Sequence, residues 1–295
     1  MGSGKVSVLL PVYNMEDTIE ESVVSVITQK DVVFELIIVN DGSTDNTFQI
    51  LSQFQGISNV KLFSQSNFGK VAAFNRAYRE ASGDYFAFFA GDDILPENSL
   101  AKRKSLIESS GPNSVSCGKL QTFSQNPKFD NIVIPKKSLP NLSGGSIMFP
   151  KSIAKKIFPI PEELPNEDTW SRLIINKFAS SIEVSNAIVL RYRIHNKNSI
   201  RKDESFKLFS DKFHARMKAY YLFYEQFRQH LTPPEEDAIL RKVQLEELRY
   251  SGDTKALIFF NGVSLQDRIA NIVYSAKNLY DLKVKYYRFL TGWRY

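Results

Sequence analysis

Four short runs rich in β-branched, leucine and aromatic residues lie within the first 95 residues, and the first three are each separated from the next by a polar loop and a stretch of helical spacing. No other feature restricts the fold as strongly. Val6-Ser7-Val8-Leu9-Leu10 is the first run, and Pro11 is expected to end it, leaving Val12-Tyr13-Asn14 as a loop. Ile19, Val23, Val26 and Ile27 then recur at helical spacing behind Glu16 and Asp17, whose charge suits the first turn of a helix. A second strand, Phe34 to Val39, empties into Asn40-Asp41-Gly42-Ser43-Thr44-Asp45, and a third, Val60 to Phe63, precedes Asn67-Phe68-Gly69-Lys70 and a helix carrying Ala73, Asn75 and Ala77. Alternation of this kind predicts a parallel, doubly wound α/β sheet with helices on both faces, whose ligands sit at the carboxyl ends of the strands. That edge would gather Tyr13, Asp41, Lys70 and Asp92.

The fourth run, within Gly83 to Ile94, stops abruptly at Asp92 and Asp93. Adjacent carboxylates at the mouth of an apolar strand repel unless a donor, water or cation compensates them, and a hard divalent ion with oxygen ligands would do so. An acidic turn, with Asp93 capping a helix that begins near Pro96, explains the pair equally well.

The chain has 295 residues, 43% of them hydrophobic, enough for one large α/β domain and an appendage. No run approaches the roughly 18 apolar residues of a membrane span, and the opening segment is too short for a signal peptide. Met1-Gly2-Ser3-Gly4 looks like a cloning scar. One cysteine, Cys117, rules out an internal disulfide and, with only three histidines, disfavours a Cys/His zinc site, so a reducing, cytoplasmic setting is expected. A net charge of +6 and a pI near 9.1 favour acidic partners such as phosphates, anionic lipid or nucleic acid. Internal repeats and low-complexity segments are absent from the sequence.

Lys102 to Lys137 reads as a helix, a strand near Ser114 to Thr122 and a polar connection. Gly144 and Gly145 precede an apolar strand, where they permit close backbone approach to a ligand or form a plain turn. Asn166-Glu167-Asp168 opens a helix through Phe178, and Arg191-Tyr192-Arg193-Ile194-His195-Asn196 follows another apolar run. Beyond residue 203 the spacing of Phe206, Phe209, Phe213, Met217, Tyr220, Tyr224 and Phe227 predicts one long amphipathic helix, and Pro233-Pro234 starts a second. Ile269 to Tyr295 mixes aromatics with Lys277, Lys283, Lys285, Arg288 and Arg294, as suits a helix lying on an anionic membrane, a docking helix or a homodimer face.

Val6 to Asn14, Ile37 to Asp45, Asn67-Phe68-Gly69-Lys70 with Ala73 and Asn75, and Ala81 to Tyr85 leading to Asp92-Asp93, in that order and spacing, resemble the family 2 glycosyltransferases of GT-A fold. The resemblance runs from about residue 5 to residue 200, so a GT-A domain is expected over 5–202 and a helical extension over 203–295. It implies inverting transfer of a sugar from a nucleotide diphosphate donor, most simply a UDP-sugar, to a bacterial surface glycan or lipid-linked oligosaccharide at the inner face of the membrane. Asp168 matches the general base and Glu167 an acceptor-positioning acid; Asp92 matches the site of Mn²⁺ or Mg²⁺, with His195 a late histidine that reaches the metal or diphosphate in some relatives. Pro11, Tyr13, Asn14, Asp41 and Lys70 match nucleotide-binding positions, and Gly144, Gly145 and Arg193 a loop region near the donor sugar. Where the family usually carries Asp-x-Asp, this chain has Ala90-Gly91-Asp92.

Two other functions compete with active transfer. Ala90 suits a nucleotide-sugar-binding protein with impaired catalysis, and the high pI suits a basic membrane or nucleic-acid adaptor. The acidic sheet edge argues against nucleic acid, whose phosphates require neutralising cations.

Overall fold

The computed structural model describes residues 4–195 and 205–291, with side chains as far as residue 285. The four early runs form β1 (Val6–Val12), β2 (Phe34–Asp41), β3 (Val60–Gln65) and β4 (Tyr85–Phe88), separated by α1 (Ile19–Ile27), α2 (Thr47–Ser52) and α3 (Lys70–Glu80). All four strands run parallel in the order β3-β2-β1-β4. β1 and β2 are buried along their whole length, which a strand covered on both faces needs near-continuous apolar sequence to achieve.

Pro11 does not end β1. It stays in the strand opposite Val39, and β1 continues to Val12. The Leu9 carbonyl bonds Phe89 N–H on the β4 side, and residues two apart in a strand point the same way, so Pro11 also faces that side. Pairing with β4 has stopped at Leu9, so the missing N–H of proline leaves no ladder bond unmade. Asp41 is likewise the last residue of β2 rather than part of a free loop.

The second half of the sheet is built differently. α4 (Ser99–Ser110) leads to β5 (Val115–Ser124) and the short β6 (Val133–Ile134). A single 3-10 turn, Gly144–Ser146, leads to β7 (Ile147–Pro150), followed by α5 (Lys151–Ile157), α6 (Asp168–Phe178) and β8 (Ile182–Ile194). β7 joins β4 antiparallel through Tyr85–Pro150 and Phe86–Phe149, and it pairs antiparallel with β5, which β8 flanks in parallel. Because strand side chains alternate, Val6, Val8, Leu10 and Val12 pack in one core cluster with Ile19, Val23, Val26, Leu100 and Ile107 of α1 and α4. Phe86 and Phe88 point the other way, where they meet Phe74 and Tyr78 of α3, Phe149 and Phe158 at centroid distances of 4.9 to 6.2 Å. Such aromatic pairs contribute about 0.5–1.5 kcal/mol each beyond their area burial.

The chain divides into two compact units, Met1–Glu162 with Asn166–His195, and Glu163–Pro165 with Asn196–Tyr295. The boundary expected between 202 and 203 falls among residues 196–204, outside the described part. The second unit is helical: α7 (Phe206–Phe227), α8 (Pro233–Ser251), α9 (Thr254–Phe259), α10 (Leu265–Ser275) and α11 (Lys277–Thr291). Thr232 and Glu235 form a reciprocal cap at the start of α8. The predicted aromatic stripe packs inward in part, with Phe209 against Tyr274 and Tyr280. Arg249 is buried against Glu246, Ser210 and the Tyr274 carbonyl. No described helix is long and apolar enough to cross a membrane. Arg294 and the side chain of Arg288, counted in the basic tail, lie outside the described residues.

Candidate active site

At the carboxyl edge of β2, the buried Asp41 carboxylate accepts from Gln65 Nε2 at 2.8 Å and Phe68 N–H at 3.0 Å on one oxygen, and from Gly69 N–H at 2.8 Å on the other. It therefore pins the loop that delivers Lys70, a task the sequence does not announce. A carboxylate offers about four acceptor sites, so one on Oδ2 remains for a ligand. Tyr13, 43% exposed, follows β1 beside this position. Asn14 takes a left-handed backbone and exchanges bonds with Thr44, while its N–H donates to Ser43, tying the β1 and β2 loops together. Pro11 lies within the strand, behind Tyr13.

The Ala90–Asp93 turn is fastened on two sides. Thr18 and Ser22 of the α1 region donate to the Gly91 carbonyl at 2.8 and 2.9 Å, and Ser22 also donates to that of Asp93. On the other side, Ile94 and Arg191 form a β-bridge, Arg193 N–H donates to Asp93 Oδ1 at 3.0 Å, and Arg193 Nε donates to the Asp92 carbonyl at 2.7 Å. Arg193 further pairs with Glu21 and lies over the Phe123 ring. Arg193, expected near a donor sugar, thus clamps the acidic turn. Burial, reinforced by the neighbouring charge of Asp92, holds the Asp93 carboxyl well above the usual range. Asp93 is the buried, turn-building member of the pair, and Asp92 the partly exposed one, paired with His195.

Asp92 Oδ2 lies 3.1 Å from His195 Nε2. Among the described residues no group of three or more His, Cys, Asp or Glu side chains converges to hold a metal. Two donors 3.1 Å apart still fit a divalent ion that completes its shell from phosphate and water, because neighbouring ligands on an octahedral ion with bonds of about 2.1 Å sit about 3 Å apart. A carboxylate and an imidazole suit Mn²⁺ at least as well as Mg²⁺.

At the start of α6, the buried Glu167 pairs with Lys70 at 3.0 Å. Burial raises its pKa, against the pull of Lys70 and with the push of Asp168. Lys70 is raised in turn: burial alone would lower it, but Glu167, Asp168 and Asp92 together outweigh that. Gly144 N–H donates to Asp168 Oδ1 at 2.9 Å. A Cβ on Gly144 would stand 2.7 Å from Glu167 Oε1 and 3.0 Å from Asp168 Oδ1, so only glycine lets the acids press against the turn. Gly145 does not face them; a Cβ there would meet Leu190.

The structure thus gathers Asp92, His195, Lys70, Glu167, Asp168 and Gly144 in the first unit. Tyr192 is the member missed in the sequence: burial and then the charges of Asp93, Asp92 and Asp168 push its phenol up to about 12. Its place in β8, between the residues that clamp the acidic turn, was the available signal.

Residues 7–158 match the model of glycosyl transferase family 2. TuaG of Bacillus subtilis (strain 168), whose name assigns it provisionally to teichuronic acid biosynthesis as a glycosyltransferase, is 40% identical over 100 residues, 33% of this chain and 40% of its own. Aligned segments span between 14% and 42% of the lengths of such curated relatives. Residues 1–349 of TarS from S. aureus, in complex with UDP-GlcNAc, superpose with a TM-score of 0.62 at 20% identity, covering 94% of this chain and 83% of that one. The mannosyltransferase PcManGT from Pyrobaculum calidifontis, in complex with GDP-Man and Mn²⁺, does so with a TM-score of 0.59 at 15% identity, covering 96% and 87%. These two likenesses concern the fold, which is of the GT-A type. With the family model matching just over half of its residues, the chain belongs to glycosyl transferase family 2.

Proposed function

We propose that this chain is an inverting glycosyltransferase that moves a sugar from a UDP-sugar to a hydroxyl of a glycan or lipid-linked oligosaccharide. The observation that carries it is the convergence of a carboxylate–imidazole pair, Asp92 and His195, with the Lys70–Glu167–Asp168 group, since Asp92 and Asp168 both act on Lys70 and Tyr192. Inversion requires attack from the face opposite the leaving group. The acceptor oxygen bonds the anomeric carbon, the bond from that carbon to the diphosphate breaks, and the hydroxyl proton passes to Asp168. The Gly144 N–H holds the carboxylate of Asp168 in a fixed orientation for that transfer, and Glu167, anchored by Lys70, can bind an acceptor hydroxyl. A divalent ion held by Asp92 and His195 would neutralise the departing diphosphate as a Lewis acid.

Tyr13 is exposed enough to stack on a base, and the remaining acceptor site of Asp41 suits the N3–H of uracil, which thymine shares. The complex of TarS with UDP-GlcNAc supports this donor class by likeness of fold, while that of PcManGT with GDP-Man makes guanosine donors a necessary comparison. A cytoplasmic site of action, peripheral on the inner membrane face, agrees with a lipid-linked acceptor.

The test is a panel of UDP-, dTDP- and GDP-sugars incubated with wild type and Asp168→Asn, with and without Mn²⁺, scoring released nucleoside diphosphate. Slow, Mn²⁺-dependent turnover of one donor by wild type is expected, reduced at least about 100-fold in the variant. Tight donor binding with no turnover in any acceptor-containing extract would favour the impaired binding protein that Ala90 suggests; no binding would overturn both.

A further inference from the structure

α4 buries a cation that has no counter-ion among the described residues. Arg103 is 0% exposed; its Nε donates to the Ser99 carbonyl at 3.3 Å, and one Nη1 donates to two carbonyls, Gly145 at 3.2 Å and Ile147 at 3.1 Å. Among the described residues its Nη2 has no acceptor. Burial pulls its pKa down to about 10, with only Cys117 acting in the other direction, so it remains charged at neutral pH. An unpaired buried charge is costly, and an apolar side chain of similar volume commonly serves stability as well or better.

The two carbonyls explain what the charge is for. They bracket Ser146, at the end of the turn whose first residue, Gly144, donates its N–H to Asp168. The carboxylates of Glu167 and Asp168 lie where a Gly144 side chain would begin. The turn is therefore held by the guanidinium at the Gly145 and Ile147 carbonyls and by the Asp168 carboxylate at the Gly144 N–H. Arginine is suited to this because its planar fork fixes the directions of its donors, whereas a lysine ammonium on a flexible stem keeps the charge without that geometry.

We propose that Arg103 is a positioning residue for the acceptor-side acids: it fixes the Gly144–Ser146 turn and, through the Gly144 N–H, the orientation of the Asp168 carboxylate. Its catalytic consequence rests on Asp168 being the base.

The experiment compares Arg103→Lys and Arg103→Met with wild type and Asp168→Asn, reading kcat and donor KM, UDP binding by calorimetry, and amide hydrogen exchange across 144–146. Both Arg103 variants should bind UDP within about 2-fold of wild type and keep donor KM. They should lose about 10- to 100-fold in kcat, the scale of a misplacement near 1 Å, and exchange the Gly144 amide about 10-fold faster. Wild-type exchange at Gly144 in Arg103→Lys, or a kcat loss matched by an equal loss of UDP binding, would overturn the positioning role. Wild-type turnover by Asp168→Asn would instead remove the base assignment, and exchange at Gly144 would still decide the role of Arg103.

Discussion

Glu35, at the start of β2, is 3% exposed and collects five donors: Ser7 Oγ and Ser82 N–H at 2.6 Å, Ser82 Oγ, and the ammonium groups of Lys5 and Lys61 at 3.1 Å. Burial alone would raise its pKa, but these donors outweigh it and hold the carboxyl at about 2 instead of 4.5. A gap of that size corresponds to at most about 3 kcal/mol of stability. Because the folded pKa is depressed, the contribution is complete above the unfolded value near 4.5 and disappears as pH falls toward 2. Glu35→Gln should therefore lose about 2–3 kcal/mol in urea unfolding at pH 7, and the difference from wild type should shrink steadily between pH 5 and pH 2. A difference independent of pH would assign the loss to packing. Nothing in the sequence marks Glu35, because its donors lie on separate segments that only the sheet register unites. Asp41, six residues on, was legible as a site candidate; its second task, holding the Phe68 and Gly69 amides, was not.

Adjacent glycines separate the roles of the element they build. In Gly144→Ala the new methyl meets Glu167 and Asp168, whereas in Gly145→Ala it meets Leu190 at 2.8 Å. The first should reduce turnover by at least about 10-fold with little change in melting temperature. The second should leave donor KM unchanged and lower stability by about 1–3 kcal/mol, the range for overpacking a core. Equal kinetic losses in both would show that the turn tolerates neither substitution for a common reason. The strands of the first half were readable because each is a short apolar run between turn signals. β5 to β8 were less so: their pairings are antiparallel or distant, and β8 extends over 13 residues that include the charged Arg191 and Arg193. Asp92 could be named from a local pattern and Glu167 and Asp168 only through the family resemblance, but Lys70 and Glu167 are 97 residues apart, and Arg193 and Asp93 are 100. No local spacing encodes such partners.

For the whole molecule, the net charge of +6 and the helical second unit bear on the proposed membrane contact. The aromatics of the tail, read as suiting a membrane-surface helix, a docking helix or a homodimer face, include Tyr274 and Tyr280, which pack on Phe209. Exposed apolar residues in and beside the tail include Phe259, Leu265, Ile269 and Leu282, at 79%, 62%, 52% and 64% exposure. Binding to anionic vesicles at low salt should weaken about 10-fold or more in the double variant Phe259→Asp, Leu265→Asp, with melting temperature retained. No binding by wild type would remove the membrane contact and leave a homodimer face, which light scattering would detect. In the first unit, the parallel half that carries the nucleotide-binding candidates meets the other half along two β4–β7 residue pairs, Tyr85–Pro150 and Phe86–Phe149, at the Ile94–Arg191 bridge and through the Arg193 bonds to Asp92 and Asp93, with an aromatic cluster around Phe86 and Phe88. The join is thus apolar at the start of β4 and charged beyond its end, so added salt should loosen it only where the acidic turn and Arg193 meet.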